Sequence, residues 1–238
     1  MTKLSKAQAD ARRRYDKNSL YPAHDALELV KTLAHSKFDE SVDAVFQLGI
    51  DARKADQLVR GTVSLPHGIG KEVRVLVFAE SDNAKAAEEA GADIVGGKEL
   101  AEELGGGGPL EFDIAIATPD MMPHVGKLGP ILGPRGLMPN PKSGTVTPDV
   151  GKAVEEFKAG RVEYRNDRYG NVHVPVGRVS FEVEALVENF GSLSDELLRA
   201  RPASAKGRFI RKVAVSSTMG PGVRIDPSDV ETLVKELH

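Results

Sequence analysis

Three short segments carry side chains suited to holding a polyanion. Lys37-Phe-Asp-Glu-Ser sets a lysine that can reach a phosphate beside a ring on which a base or ribose can pack. A phenylalanine at an element junction is ordinarily a core plug, and that plainer reading stands beside the first. Arg165-Asn-Asp-Arg-Tyr-Gly has the composition of a hairpin turn. Its Asn and Asp either hold the turn or offer acceptors to guanine edges and ribose hydroxyls. Ser216-Ser-Thr-Met-Gly-Pro-Gly combines hydroxyls with a glycine backbone that allows close approach, which suits a sugar–phosphate surface and its 2′-OH; a tight turn is the alternative. A fourth segment, from Lys127 to Lys142, is rich in Gly and Pro and carries Lys127, Arg135 and Lys142 with no acid between them. It reads as an irregular loop, with charges either merely solvated or forming a small basic surface for phosphates.

Catalytic chemistry finds no comparable support. No Gly-x-Gly-x-x-Gly follows the apolar stretch Val73–Ala79, and Gly68-Ile-Gly-Lys lacks the spacing and hydroxyl of a P-loop. The run Gly105 to Gly108 reads as a helix stop and linker. His35, His67, His124 and His173 are scattered without ligand spacing, and Asp113 and Asp120 have no recognisable partner. With no cysteine there is neither a disulfide framework nor a thiolate zinc site. The expectation is no catalytic residue, no metal and no cofactor. Met1 to Asp16 is charged throughout, without the apolar core of a secretory signal, and no apolar run is long enough to span a bilayer. These features read as a cytoplasmic protein with no membrane partner.

Charge is partitioned. The net formal charge is −3, but residues 1–67 carry 11 Lys and Arg against 9 Asp and Glu, residues 68–159 carry 9 against 15, and residues 160–238 carry 12 against 11. The acidity sits in the middle of the chain. Lys206 to Arg224 holds five cations (Lys206, Arg208, Arg211, Lys212 and Arg224) and no acid, so any affinity for nucleic acid must be local.

The elements that position these residues are of two kinds. Toward the ends, the patterning predicts a basic, exposed helix to Lys17, then a helix with Ala26, Leu29, Val30 and Leu33 on one face after Pro22. A half-buried strand from Ser41 with Val42, Ala44, Phe46 and Leu48 inward follows, and a short strand Thr62–Leu65. After Gly160, strands Arg161–Arg165 and Val172–Val176 read as paired around the turn Asn166–Gly170. A helix Glu184–Leu198 with a break near Gly191, strands Phe209–Ser217 and Val223–Ile225, and a closing helix Glu231–Leu237 complete the chain. In the middle, strands Val73–Ala79, Asp93–Val95 and Asp113–Thr118 alternate with helices Ala84–Ala90, after Ser81 as a candidate cap, and Lys98–Leu104, then Asp149–Lys158. Strands this apolar between helices indicate a parallel sheet covered on both faces. The expected fold is α/β: an α+β outer domain from residues 1–67 and 160–238, and an inserted Rossmann-like α/β domain at 68–159.

Lys37-Phe-Asp-Glu, Asp56-Gln-Leu-Val-Arg-Gly-Thr-Val-Ser-Leu-Pro-His-Gly, Ala90-Gly-Ala-Asp, Leu128-Gly-Pro-Ile-Leu-Gly-Pro-Arg-Gly-Leu-Met-Pro-Asn-Pro-Lys, Lys158-Ala-Gly-Arg and Thr218-Met-Gly-Pro together resemble the bacterial large-subunit ribosomal proteins of the L-one family, from about Tyr21 to Pro227. The resemblance implies a two-strand hinge near Pro66–Gly70 and Lys158–Arg161. It also implies a protein of the cytoplasmic large ribosomal subunit that binds its ribosomal RNA to form a mobile stalk where deacylated tRNA leaves. Such proteins often also bind their own messenger leader and repress its translation. Carried onto this chain, the RNA-binding residues are Lys37, Phe38, Glu40, Ser41, Asp167, Arg168, Ser216, Thr218, Met219 and Gly220, with Lys127, Arg135 and Lys142 as a secondary RNA or tRNA contact. Phe38 and Met219 would pack on ribose and bases, Asp167 and the hydroxyls would meet 2′-OH groups, and Lys37 and Arg168 would meet phosphates.

The chain departs from the family pattern in its net acidity, which implies recognition by shape and hydrogen bonds with a shallow salt dependence. Ser41 and Gly222 stand where relatives carry threonine and serine, and Glu182–Ser204 matches poorly and receives no RNA role. The free protein is expected to be a monomer. A nucleotide-binding enzyme and a protein-only adaptor are the competing classes; the first would show ligand-dependent stabilisation and the second an exposed apolar patch.

Overall fold

In the computed structural model, which describes residues 6–236, the chain divides into two units. One joins the residues up to Gly70 with those from Val162 onward, and the other is Lys71–Arg161. Helices α1 (Lys6–Arg14) and α2 (Ala23–Leu33) precede strands β1 (Ser41–Leu48) and β2 (Arg60–Ser64). The second unit holds β3 (Val75–Phe78), α3 (Asp82–Glu89), β4 (Ile94–Gly96), α4 (Lys98–Gly105) and β5 (Ile114–Ala117), then the one-turn helices α5 (Met122–Val125) and α6 (Gly129–Leu132), and α7 (Val150–Lys158). The chain then returns through β6 (Arg161–Arg165), β7 (Asn171–Arg178), α8 (Val183–Arg199), β8 (Ile210–Ser217), β9 (Val223–Ile225) and α9 (Pro227–Glu236). The first unit is α+β and the second is a Rossmann-like α/β unit.

The first unit is built on an antiparallel sheet in the order β7-β1-β8-β9. Its period-two pattern turns Val42, Ala44, Phe46 and Leu48 inward, where they meet Ala26, Leu27 and Val30 of α2 and Leu186, Phe190 and Leu193 of α8. Phe46 and Phe190 stack with centroids 5.5 Å apart. The alternate residues of β1 (Ser41, Asp43, Val45 and Gln47) lie on the other face and are half-exposed. α2 is capped from a distance, since the Asp229 carboxylate accepts from the Ala23 N–H at 2.7 Å.

Four expectations for this unit need correction. The strands on either side of Asn166–Gly170 do not pair as a hairpin. β6 joins β2 in a separate two-stranded sheet and β7 joins β1, leaving only an Asn166–Val172 bridge between them. Asn166 diverts β6, with its N–H donating to Val59 O at 3.0 Å and its Oδ1 accepting from Val59 N–H at 2.8 Å. Second, α8 runs unbroken through Gly191, because four inward apolar residues outweigh a glycine cost of about 1 kcal/mol. Third, α9 begins at Pro227, with Asp226 Oδ1 accepting from the Ser228 N–H at 2.9 Å, an Asp-Pro start that the sequence displays. Finally, α1 is not wholly exposed, since Ala11 is buried in the core; residues 1–5 of that expected helix lie outside the described residues.

In the second unit β3 is central in a parallel sheet, β4-β3-β5. Val75 and Val77 face α3 and α7 on one side, while Leu76 and Phe78 face α4 and the Met121–Leu132 stretch on the other. A strand with a core on each side must be apolar throughout, which explains its sequence. The Gly/Pro segment is less irregular than expected. Its start continues a series of short helical turns that begins at Pro119, through Gly126–Leu128 and Gly129–Leu132 with Pro130 in a first-turn position, and Pro141–Ser143 forms another; residues 133–140 between them are irregular as expected. Ser81 precedes α3 but makes no capping bond; its φ of 57° is the one positive value at a non-glycine among the described residues.

Candidate nucleic-acid interface

Where β1 begins, β8 ends, and this brings two of the three polar segments together. Thr218 N–H donates to Ser41 O at 3.1 Å, and Ser41 N–H donates to Thr218 Oγ1 at 3.1 Å. Beneath this corner lies Glu40, only 1 % exposed. One of its oxygens accepts from the N–H groups of His35 (3.2 Å) and Ser36 (2.9 Å), and the other from that of Met219 (2.8 Å). Burial pushes the carboxyl up. The Met219 N–H, the Ser217 hydroxyl, and the N–H and hydroxyl of Ser36 outweigh it and hold the pKa at about 2. Glu40 is therefore no surface contact, contrary to expectation: it is an ionised clamp inside the corner, joining the 35–38 loop to the 218–220 loop.

What the clamp holds faces outward. Phe38 is 56 % exposed and Met219 55 %, so Phe38 is not a core plug. Lys37 and Thr218 are exposed, and Ser41 and Ser216 half-exposed. Gly220 is required by packing: its N–H donates to Ser217 Oγ at 3.1 Å, and a Cβ there would overlap that hydroxyl. Gly222 has open space around it, so a serine would fit.

Asp167 and Arg168 are not at this corner. Ser41 pairs with Arg178 and Gln47 with Asn171, which puts the Asn166–Gly170 turn at the opposite end of β1, about 20 Å away at 3.3 Å per residue. There Asp167 Oδ1 accepts from the N–H groups of Tyr169 and Asn171, each at 2.8 Å, and Oδ2 from Asn171 Nδ2 at 2.9 Å. Its partial burial opposes ionisation, but the Asn171 and Tyr169 bonds and nearby His173 lower its pKa. The carboxylate is committed to the turn. What the turn displays is Arg168, lying 4.9 Å over the ring of Tyr169, which is 67 % exposed. Tyr169 was not among the expected site residues, although the Asx-turn spacing places it at the tip. Asp167→Ala should destabilise the protein by about 1–2 kcal/mol in urea unfolding, with two turn N–H groups losing their acceptor.

Between the two ends runs the outer face of the sheet, with Asp43, Val45, Gln47, His173, Lys212 and Ala214 on adjacent strands. Burial pushes the Asp43 carboxyl up and His173 partly offsets this. The alternation of β1 had marked these positions as outward without assigning them a role. In the second unit Lys127, Arg135 and Lys142 are all exposed, and none has an ion pair among the described residues. Also among the described residues, the only potential metal-ligand group is His24, Asp25 and Glu28, all exposed on α2.

Residues 29–221 match the model of the ribosomal protein L1p/L10e family. The chain belongs to this family. The match encloses every candidate residue from Lys37 to Gly220. A protein named large ribosomal subunit protein uL1 from Methylobacillus flagellatus is 60 % identical over 97 % of this chain and 100 % of its own length. One of the same name from a Nocardioides species is 55 % identical over 98 % and 96 %, and one from Rubrobacter xylanophilus 58 % over 92 % and 95 %. Members of the L1p/L10e family are structural ribosomal proteins and not enzymes. No nucleotide-binding motif follows β3, and a Rossmann-like fold does not by itself imply a dinucleotide site.

Proposed function

We propose that this chain is a component of the large ribosomal subunit whose first unit binds the stalk region of 23S ribosomal RNA. The RNA would contact both ends of the outer sheet face. In this reading Phe38 and Met219 pack on ribose and bases at one end, with Lys37, Thr218 and Ser216 meeting phosphate and 2′-OH. Arg168 and Tyr169 take the other end, with Asp167 and Glu40 as positioning residues beneath. The assembled stalk assists release of deacylated tRNA at the exit site, with Lys127, Arg135 and Lys142 as a secondary contact, and the same face binds the protein's own messenger leader as a repressor. The observation that carries this reading is the Glu40 clamp: a buried, ionised carboxylate holds two loops so that a phenylalanine and a methionine stand in solvent. Two apolar side chains held in solvent at one corner of the sheet, beside hydroxyls and a lysine, suit packing on unpaired bases and their riboses.

The test is binding to a ribosomal RNA fragment carrying the stalk, measured across a salt series. With few cations on the face, log K should fall against log salt with a slope of only about −2 to −4, at roughly 0.9 per phosphate neutralised. No binding at moderate salt, or equal binding to unrelated duplex RNA, would sink the proposal. The messenger leader should compete with the fragment for the free protein, a monomer in this reading.

A further inference from the structure

We propose a second RNA site on the first unit: a groove at the β8–β9 edge that takes a single-stranded segment, with phosphates on its cationic rim and a base against Leu20. The inference extends the RNA-binding reading above and rests on it for the source of the strand. The groove encloses about 340 Å³, the small end of the range for ligand pockets and on the scale of one nucleoside. Its rim carries Arg208, Arg211, Lys212 and Arg224, the basic run that the family-derived contacts left without a task. None of these four is ion-paired among the described residues. The one acid in the lining, Asp226, caps α9 through the Ser228 N–H. Four cations without an ion pair among the described residues line one groove, Arg208 alone donating to a neutral partner, the Ser228 hydroxyl at 3.2 Å; they repel one another, and a bound polyanion relieves that repulsion.

Leu20 distinguishes this groove from a plain phosphate patch. It is 56 % exposed, and Ala214 and Pro227 continue the apolar lining. Its place is fixed, because Tyr21 N–H donates to Arg224 O and Asp226 N–H donates to Tyr21 O, both at 3.0 Å, which ties the segment to the edge of β9. An apolar surface ringed by cations fits a base and its flanking phosphates. The groove also continues the proposed face: Ser216 lies about 13 Å along β8 from Lys212, at 3.3 Å per residue. Leu20 and Arg224 lie outside the residues matched to the family. An acidic protein segment would meet the same charges, but only a nucleic acid follows from continuity with the RNA face.

The chain has no tryptophan, so Leu20→Trp places a single indole in the groove of the full-length protein. A short oligoadenylate is the probe. Its addition should quench the indole, and Arg211→Ala/Arg224→Ala in the same background should weaken binding at least tenfold and flatten the salt slope by about 1.4, at roughly 0.7 per phosphate on a single strand. Absence of quenching overturns the proposal, as does equal quenching by polyglutamate, which would assign the groove to an acidic protein segment. Binding of the stalk fragment by the unmodified protein is scored separately. Quenching by oligoadenylate without stalk binding keeps the groove and removes the larger reading; stalk binding without quenching does the reverse.

Discussion

Glu40→Ala is expected to abolish measurable binding to the stalk fragment and to destabilise the protein by roughly 3 kcal/mol. The carboxylate is 1 % exposed and serves three backbone N–H groups on two loops. Removing it orphans those donors, at about 1–3 kcal/mol for each that water does not reach. It also releases Phe38 and Met219 from their fixed positions, so the binding loss should exceed what either side chain contributes alone. Glu40→Gln should recover only part of the effect, because an amide nitrogen would face an N–H group where a carboxylate oxygen now accepts. Unfolding in urea at neutral pH gives the stability term, and fragment binding gives the other. A variant with unchanged affinity would separate Glu40 from the recognition surface.

The same clamp makes stability depend on acid. The pKa of Glu40 falls from an ordinary 4.5 to about 2 on folding, so the unfolded chain takes up the proton first. The stabilisation is fully present above pH 4.5 and is lost as pH falls through the window down to about 2. Its size is on the order of 3 kcal/mol, at about 1.4 kcal/mol for each pH unit between the two values. The stability difference between the wild type and Glu40→Ala should therefore shrink across that window and remain flat above pH 5. A constant difference down to pH 2 would mean that the carboxylate is not held ionised by these bonds.

The inner face of β1, the apolar strand β3 and the amphipathic face of α2 were legible because burial imposes a period on residues next to one another in sequence. What was hidden depends on partners far along the chain. The divergence of β6 from β7 is decided by Asn166 bonding to Val59, and the cap on α2 comes from Asp229. The site divides in the same way. Phe38, Thr218 and Met219 were nameable from their motifs, but that Glu40 lies beneath them depends on Met219, 179 residues later. Asp167 was read as a choice between turn and ligand, and both its oxygens engage the turn. Tyr169 went unread although the Asx-turn spacing places it at the tip, because the turn offered its Asn and Asp as the hydrogen-bonding groups.

Thr218→Ala/Met219→Ala is expected to weaken stalk-fragment binding by roughly 2–4 kcal/mol, or about 30-fold to 1,000-fold. Burying a methionine against RNA contributes about 1.5–3 kcal/mol, and a hydroxyl hydrogen bond about 0.5–1.5. The cost in the free protein should be small. Met219 is already 55 % exposed, and the Thr218 hydroxyl accepts from the Ser41 N–H and makes only a long 3.4 Å bond to Ser41 O besides, so unfolding should shift by no more than about 1 kcal/mol. This split between affinity and stability separates a contact from a clamp: Glu40→Ala should lose both together, and the double variant should lose affinity nearly alone. Because neither side chain is charged, the salt slope should stay at its wild-type value while the whole line drops. A flattened slope would mean that the loop had moved and taken Lys37 with it. Unchanged affinity would place the RNA on a different surface of the first unit.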